Sequence, residues 1–199
     1  QSLPRDLFMD PSTSRLVQKF VPELRMLRNS SKPKSIVCSG RAGTTLNEPM
    51  GTRAVELIVS FPEQCAIAPA KDIPMCGFEV LGNGDTLHGS GTSLVFTMDI
   101  TRNLLLLNGT TLGNPDVRAG PIPLPTNKGW TVHMIVDHSI VEVIVNDDTA
   151  FVMYVAPAAN TAGNIRVFGC DGSSMDIWTL NFMTSTLILA TPISIWRTK

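Results

Sequence analysis

Three adjacent residues, Asp137, His138 and Ser139, bring together the side-chain types of a serine-hydrolase triad. In such a triad the imidazole lies between the hydroxyl and the carboxylate, so that it can take the hydroxyl proton as a general base. In an extended segment, however, successive side chains point to opposite faces, which places Asp137 and Ser139 on one side and His138 on the other. The pattern therefore favours a strand or turn feature over a nucleophilic site.

Three short stretches with carboxylates resemble pieces of glycosidase motifs: Met9-Asp10-Pro11, Arg5-Asp6-Leu7 and Glu63-Gln64-Cys65. A retaining glycosidase needs two carboxyl groups about 5 to 5.5 Å apart. Nothing in the sequence places a second carboxylate at any of these stretches. Asp-Pro also starts turns for local reasons, because Asp accepts backbone hydrogen bonds and Pro fixes φ. We therefore favour turns here and assign no catalytic residue.

The cysteines show no metal-binding pattern. They are Cys38, Cys65, Cys76 and Cys170. None forms a Cys-x-x-Cys pair, and the three histidines have no ligand spacing with them, so the sequence predicts no metal site. Four thiols can form two disulfides in a secreted protein or stay buried in a reducing compartment. Among the possible bridges we predict Cys65 with Cys76, because these two residues flank one Pro-rich loop.

Two Asn-x-Ser/Thr tripeptides begin at Asn29 and Asn108. They are candidate N-glycosylation sites and fit an exported protein, although such tripeptides also arise by chance. The Gly-rich stretches at 82–85 and 89–91 are followed by no helix pattern that would aim backbone amides at a phosphate. They are most simply loops, and the sequence predicts no cofactor.

Composition excludes several classes of protein. The 199 residues carry 16 basic and 17 acidic side chains, a net charge of −1, so nucleic acid is not expected as a partner. The 43% of hydrophobic residues indicates a packed globular chain. The apolar stretch from Leu187 to Trp196 contains Pro192 and is far shorter than the ~20 residues of a membrane helix. No membrane span is predicted.

From Ser35 onward the pattern consists of short β-prone runs separated by Gly, Asn, Asp or Pro. In the run 140–145, Val141, Val143 and Val145 share one face, which is typical of a core-facing strand. Turn residues at 146–148 and a second run at 150–155 complete a hairpin, and Asn108-Gly109 indicates another turn. The prediction is an all-β fold, an antiparallel β-sandwich, preceded by one short linker helix after Pro22. Trp130 and Trp178 fall in strand patterns and are expected in the core, whereas Trp196 is a surface candidate.

Two blocks of sequence resemble glycoside hydrolase family 32, the invertases, β-fructofuranosidases and fructan-active enzymes. The stretch from Gln1 to Leu24 resembles the end of the family's catalytic propeller and its linker. The stretch Val136-Asp137-His138-Ser139-Ile140-Val141-Glu142-Val143 is similar to a segment of the family's C-terminal β-sandwich. The strand at 164–169 and the run 175–180 resemble the closing strands of that module.

The resemblance implies three segments: 1–30 as the end of the propeller and linker, 31–183 as the C-terminal β-sandwich, and 184–199 as a tail. It implies chemistry on a terminal β-fructofuranosyl unit by two carboxyl residues of the propeller, within motifs that this chain does not contain. We therefore expect a non-catalytic module that stabilises an absent catalytic propeller, and whether the chain is an enzyme stays open.

The alternative is a stand-alone β-sandwich that binds glycan or serves as a structural subunit of a larger assembly. The expected partners are the catalytic propeller or another protein subunit, and carbohydrate is a further candidate. A secreted or vacuolar location is expected, with a targeting segment that is not in this chain.

Overall fold

The computed structural model describes residues 3–39, 43–46, 54–66, 75–82, 94–111, 114–155 and 164–181. The strands found there, in chain order, are β1 (Arg5–Asp10), β2 (Arg15–Phe20), β3 (Lys34–Val37), β4 (Thr44–Leu46), β5 (Ala54–Phe61), β6 (Met75–Gly82), β7 (Leu94–Asp99), β8 (Leu104–Thr111), β9 (Asn114–Pro121), β10 (Trp130–Asp137), β11 (Ile140–Val145), β12 (Thr149–Tyr154), β13 (Asn164–Phe168) and β14 (Ser174–Thr179). Two short 3₁₀ helices span Pro22–Leu27 and Glu63–Ala66.

The strands form two six-stranded sheets and one separate two-stranded ribbon. Sheet I has the order β12-β11-β10-β5-β14-β3, and sheet II has the order β4-β13-β6-β7-β8-β9. The ribbon is the antiparallel pair β1-β2, and the strand pairs of both sheets are antiparallel too. This confirms the predicted all-β class and the antiparallel sandwich.

One large apolar cluster fills the space between the two sheets. Sheet I contributes residues such as Val59, Val132 and Val143, and sheet II contributes Phe78 and Phe96. The Phe78 ring stacks on Phe96 with 5.1 Å between ring centroids. We call the surface of sheet I that lines this cluster its inner face and the opposite surface its outer face.

The predicted hairpin is confirmed as β11 and β12. Asn146 and Asp147 between them have φ of 48° and 57°, a conformation that Asn and Asp tolerate better than most residues. Val141, Val143 and Val145 belong to the central cluster, as expected. Both tryptophans predicted for the core are buried, Trp130 at 4% and Trp178 at 7% exposure, whereas Trp196 lies outside the described residues.

The second predicted turn is wrong. Asn108 and Gly109 lie inside β8, where Asn108 is paired with Val95 on one side and Val117 on the other. A side chain at Gly109 would meet Val155 at 2.8 Å, so this glycine permits close packing inside the sandwich and does not form a turn.

The linker helix after Pro22 is confirmed as a 3₁₀ helix, with Pro at its start. The residues before it form the ribbon, whose two strands were not predicted. The apolar tail lies outside the described residues, and the three segment boundaries stay predictions. In the described part of the chain, no helix has the length and apolar character that a membrane crossing requires.

Candidate functional site

A row of four side chains crosses the outer face of sheet I. Glu142 on β11 is paired with Ile135 on β10, Ile135 with Glu56 on β5, and Glu56 with Trp178 on β14. With strands about 4.8 Å apart, the backbones that carry the two glutamates are separated by roughly 10 Å. Both carboxylates are buried, Glu56 at 2% and Glu142 at 0% exposure. A buried carboxylate needs a cationic or hydrogen-bonding partner.

Glu56 receives three hydrogen bonds. Arg28, just after the first 3₁₀ helix, donates from Nε to Oε2 at 2.7 Å and from Nη2 to Oε1 at 2.8 Å. His133 on β10 places Nε2 2.7 Å from Oε1. The Arg28 guanidinium also lies over the Trp178 ring, 3.8 Å from its centroid. This side of the row is a bidentate ion pair completed by a histidine.

The protonation state of Glu56 follows from these contacts. Burial favours a raised pKa, but the hydrogen bonds and charges of Arg28 and His133 outweigh it and lower the pKa to about 2. The carboxylate is therefore an ionised acceptor near neutral pH, and His133 donates its Nε2 proton to it. A general acid needs a pKa near the working pH, so Glu56 is unsuited to that role.

Glu142 is bound by residues at the start of the segment 3–28, whereas Arg28, the partner of Glu56, lies at its end. Nη2 of Arg5, on β1, donates to Oε2 at 2.5 Å, and the backbone N–H of Leu3 donates to Oε1 at 2.5 Å. Nη1 of Arg5 also donates to Gln18 on β2 at 3.1 Å. Each buried carboxylate of the row thus has an arginine partner from residues 3–28. We call these two ion pairs, with His133, the outer-face clamp.

The rest of the ribbon is fixed along the turn between β11 and β12. The Gln18 backbone N–H donates to the Asp147 carbonyl at 2.9 Å, and Lys19 pairs with the Asp147 carboxylate at 3.0 Å. A small second apolar cluster lies beneath the segment and includes Phe20, Leu27, Ile135 and Ile144. Residues 3–28 therefore pack against sheet I through both charge and apolar contact.

Part of the ribbon remains uncovered within the described structure. Three apolar side chains on one of its faces are exposed, Leu7 at 62%, Met9 at 58% and Leu16 at 51%, and Phe8 is 46% exposed on the opposite face. A two-stranded ribbon is marginal alone, and a concentrated set of exposed apolar side chains is typical of a contact surface. We call Leu7, Met9 and Leu16 the ribbon patch.

Of the triad-like residues, Asp137 ends β10, and His138 and Ser139 form the turn that leads into β11. His138 has φ of 54°, and its Nδ1 lies 2.7 Å from Oδ1 of Asp137. The imidazole is therefore paired with its own neighbour at an exposed turn. The turn interpretation is confirmed.

The Asp-Pro turn is confirmed as well, whereas the turn expected at Arg5-Asp6-Leu7 is wrong, because these residues lie in β1. Asp10 ends β1 and accepts hydrogen bonds from the Ser12 hydroxyl at 2.7 Å, the Ser12 backbone N–H at 2.9 Å and the Thr13 hydroxyl at 2.8 Å. The Ser12 hydroxyl bond is the largest of the causes that lower the pKa of Asp10. Glu63 is exposed on the second 3₁₀ helix.

The predicted bridge between Cys65 and Cys76 is wrong. Cys65 is bonded to Cys170, whose Cα lies 5.5 Å away, within the range that disulfides span. Cys76 is a buried free thiol on β6. Cys38, buried after β3, donates from its thiol to the Val167 carbonyl at 3.7 Å. Cys65 lies just after β5 of sheet I, and Cys170 lies in the connection from β13 of sheet II to β14 of sheet I. The spatial neighbour, and not the cysteine nearest in sequence, is therefore the partner of Cys65. Burial raises the pKa of Cys76 to about 12, which keeps it an unreactive thiol.

The two candidate glycosylation sites differ in their surroundings. Asn29 is exposed between the first 3₁₀ helix and β3. Asn108 is half-buried inside β8. No group of three or more His, Cys, Asp or Glu side chains that could hold a metal ion occurs among the residues the structure describes.

The sequence profile described as "Glycosyl hydrolases family 32 C terminal" matches residues 23–183. The chain belongs to this family. The matched range contains Glu56, Glu142 and Arg28 of the outer-face clamp, whereas Arg5 lies before it. Among proteins of curated function, none matches the sequence significantly.

Solved structures with this fold include enzymes that are considerably longer. An exo-inulinase from Aspergillus awamori aligns with a TM-score of 0.71 at 17% identity, over 90% of this chain and 35% of that one. Fructan 1-exohydrolase IIa from Cichorium intybus aligns with a TM-score of 0.65 at 16% identity, over 90% of this chain and 41% of that one. Sucrose-6-phosphate hydrolase from Lactobacillus gasseri aligns with a TM-score of 0.63 at 16% identity, over 89% of this chain and 33% of that one. This family 32 domain thus spans well under half the length of these structures.

Sequence reasoning missed the clamp. The available signal was one acidic residue inside each of two apolar strands, Glu56 in Ala-Val-Glu-Leu-Ile-Val and Glu142 in Ile-Val-Glu-Val-Ile-Val. An acid at such a position is either exposed on a solvated face or buried with a partner. The sequence alone does not decide between these two possibilities.

Proposed function

We propose that this chain is the non-catalytic C-terminal β-sandwich module of a family 32 enzyme that acts on β-fructofuranosides such as sucrose or fructans. Its role is to stabilise the enzyme's catalytic propeller domain. The observation that carries this proposal is the segment 3–28, which Arg5 and Arg28 clamp to the sandwich and whose ribbon patch is exposed. We propose that the propeller covers the ribbon patch. We also propose a secreted or vacuolar location for the enzyme.

The non-catalytic part of the proposal rests on the state of the two buried carboxylates. Each forms an ion pair with an arginine. Because its pKa is lowered to about 2, Glu56 stays ionised down to a pH far below neutral. A glycosidase pair needs one carboxyl group that is protonated near the working pH and able to reach the leaving oxygen. Incubation of the isolated chain with sucrose or inulin should release no fructose above a buffer blank. Release that is abolished in Glu56→Gln or Glu142→Gln would contradict this part.

The docking part is tested with the reading frame upstream of residue 1 in the transcript. We expect it to encode a propeller with the family's carboxylate motifs. When both parts are co-expressed, Met9→Glu in the ribbon patch should weaken their co-purification and lower the thermal midpoint of the complex. Val117→Glu on β9 is the matched control, because Val117 is 54% exposed and Met9 is 58% exposed. Equal effects of the two changes would argue against the ribbon patch as the docking surface.

The alternative function, a stand-alone module that binds glycan, is favoured by one observation. A cavity of about 350 Å³ lies between the ribbon, the first 3₁₀ helix and the outer face, and its lining includes Phe20, Arg25, His133 and Asp147. Donors and acceptors beside an aromatic ring suit a hydroxyl-rich ligand. Saturable binding of fructose or sucrose, lost in Arg25→Ala and retained in Arg102→Ala, would support this alternative. An upstream propeller frame would favour the first proposal.

A further inference from the structure

The two Asn-x-Ser/Thr tripeptides of the chain lie in opposite structural settings. Asn29, Ser30 and Ser31 are all exposed in the segment between the first 3₁₀ helix and β3. The Asn29 backbone N–H donates to the Thr179 carbonyl at 3.0 Å, which fixes the backbone at this point. The side-chain Nδ2 lies at the surface, 3.3 Å from Oγ1 of Thr179. The amide nitrogen is therefore accessible on a chain segment that is held in place.

Asn108 lies within β8, which has a strand on each side. Its Cα partners are Val95 on β7 and Val117 on β9, and its side chain is half-buried. The next residue, Gly109, faces sheet I, where an added Cβ would come within 2.8 to 2.9 Å of Met153 and Val155, so Asn108 points to the opposite face of sheet II. An oligosaccharide on Asn108 would have to fit beside Val95 and Val117 on that face, so this half-buried position is less accessible than Asn29.

The disulfide supplies an independent observation about compartment. Cys65 and Cys170 are joined across 105 residues of sequence. Stable disulfides form in oxidising compartments such as the lumen of the secretory pathway. N-linked glycans are added to Asn-x-Ser/Thr in that same pathway.

We propose that Asn29 carries an N-linked glycan and that Asn108 does not. In the transfer, Asn29 Nδ2 forms a bond to C1 of a lipid-linked oligosaccharide. The bond between C1 and the lipid diphosphate oxygen breaks, the lipid diphosphate leaves with the electron pair, and one amide proton passes to a base of the transferase. The glycosylated nitrogen keeps one hydrogen, so its hydrogen bond to Thr179 can persist. The glycan would stand beside Arg28, at the junction between linker and sandwich.

The test is secretion of the 199-residue chain from a yeast host, with an added signal peptide, followed by intact-mass measurement before and after treatment with peptide N-glycosidase. We expect one glycan per chain, absent in Asn29→Gln and in Ser31→Ala and retained in Asn108→Gln. Ser31→Ala keeps the Asn29 contacts with Thr179, so a loss of glycan there cannot be attributed to misfolding. A glycan mapped to Asn108, or a secreted chain that holds the Cys65–Cys170 bridge but no glycan, would overturn the proposal.

Discussion

The inner face of sheet I and the part of its outer face that residues 3–28 cover are both buried, but they are stabilised in different ways. The inner face presents Val132, Val143 and Val145 to sheet II, and its burial is non-directional and roughly proportional to apolar area. The outer face presents Glu56 and Glu142, each of which depends on a particular arginine from residues 3–28. An inner position can therefore accept another apolar side chain of similar size. At a clamp position, loss of one side chain of an ion pair leaves the other charge buried without its partner.

The largest expected effect concerns the covalent link between the end of sheet I and the β13–β14 connection. Cys170→Ala should lower the free energy of unfolding by about 4 to 5 kcal/mol, because the bridge closes a long loop. Cys76→Ala, which removes a free buried thiol, should cost about 1 kcal/mol. Urea denaturation measures both values, and non-reducing peptide mapping identifies the bridge. A peptide that links Cys65 to Cys76 would contradict the pairing.

A truncation in the sandwich core should cost somewhat less. Phe78 is fully buried and lies between Phe61 and Phe96. Phe78→Ala should therefore destabilise the chain by about 4 kcal/mol through lost burial and the resulting cavity. The matched change Phe8→Ala, on the ribbon, should cost less than about 0.5 kcal/mol because that ring is 46% exposed. Similar costs for the two phenylalanines in thermal unfolding would contradict the contrast between core and ribbon.

The clamp predicts a characteristic non-additivity. Arg28→Met leaves Glu56 buried with only His133 as partner and should cost about 3 kcal/mol. The double change Arg28→Met with Glu56→Met removes both charges and should recover most of that loss. Arg118→Met is the control, because the Arg118 side chain is 52% exposed and its partner Asp116 is 28% exposed, so its loss leaves no buried carboxylate without a partner. Costs that simply add in the double-mutant cycle would show that Arg28 and Glu56 act independently.

Acid should loosen the outer face before the inner one. Glu56 has a pKa of about 2 against an ordinary 4.5, so its stabilisation is fully present above pH 4.5 and is lost as the pH falls towards 2. About 2 kcal/mol should be gone by roughly pH 3. Urea unfolding at several pH values should show this loss in the parent chain and a shallower pH dependence in Glu56→Gln. If the free energy of unfolding depended on pH equally in the parent chain and in Glu56→Gln, Glu56 would not be the cause of the acid destabilisation.

Much of the inner face could be predicted from sequence, whereas the outer face could not. The alternation Val141, Val143, Val145 directly encodes a buried strand face, and the turn at Asn146 follows from residues that tolerate positive φ. The clamp depends instead on contacts between residues far apart in sequence, such as Arg5 with Glu142. Local patterns carry no information about such partners. The same reason explains the missed Cys170 bridge.

The smallest effect is expected at the rim of the ribbon, where charge is solvated. Lys19 and Asp147 form an ion pair at 3.0 Å, but both side chains are about half exposed. Water and salt screen such a pair, so Lys19→Ala should change the free energy of unfolding by less than about 0.5 kcal/mol. The change should vanish in about 1 M salt, whereas the cost of Arg28→Met should persist because the Glu56 pair is buried. A salt-resistant loss at Lys19 comparable to that at Arg28 would mean that the whole ribbon, and not the clamp alone, holds the linker to the sandwich.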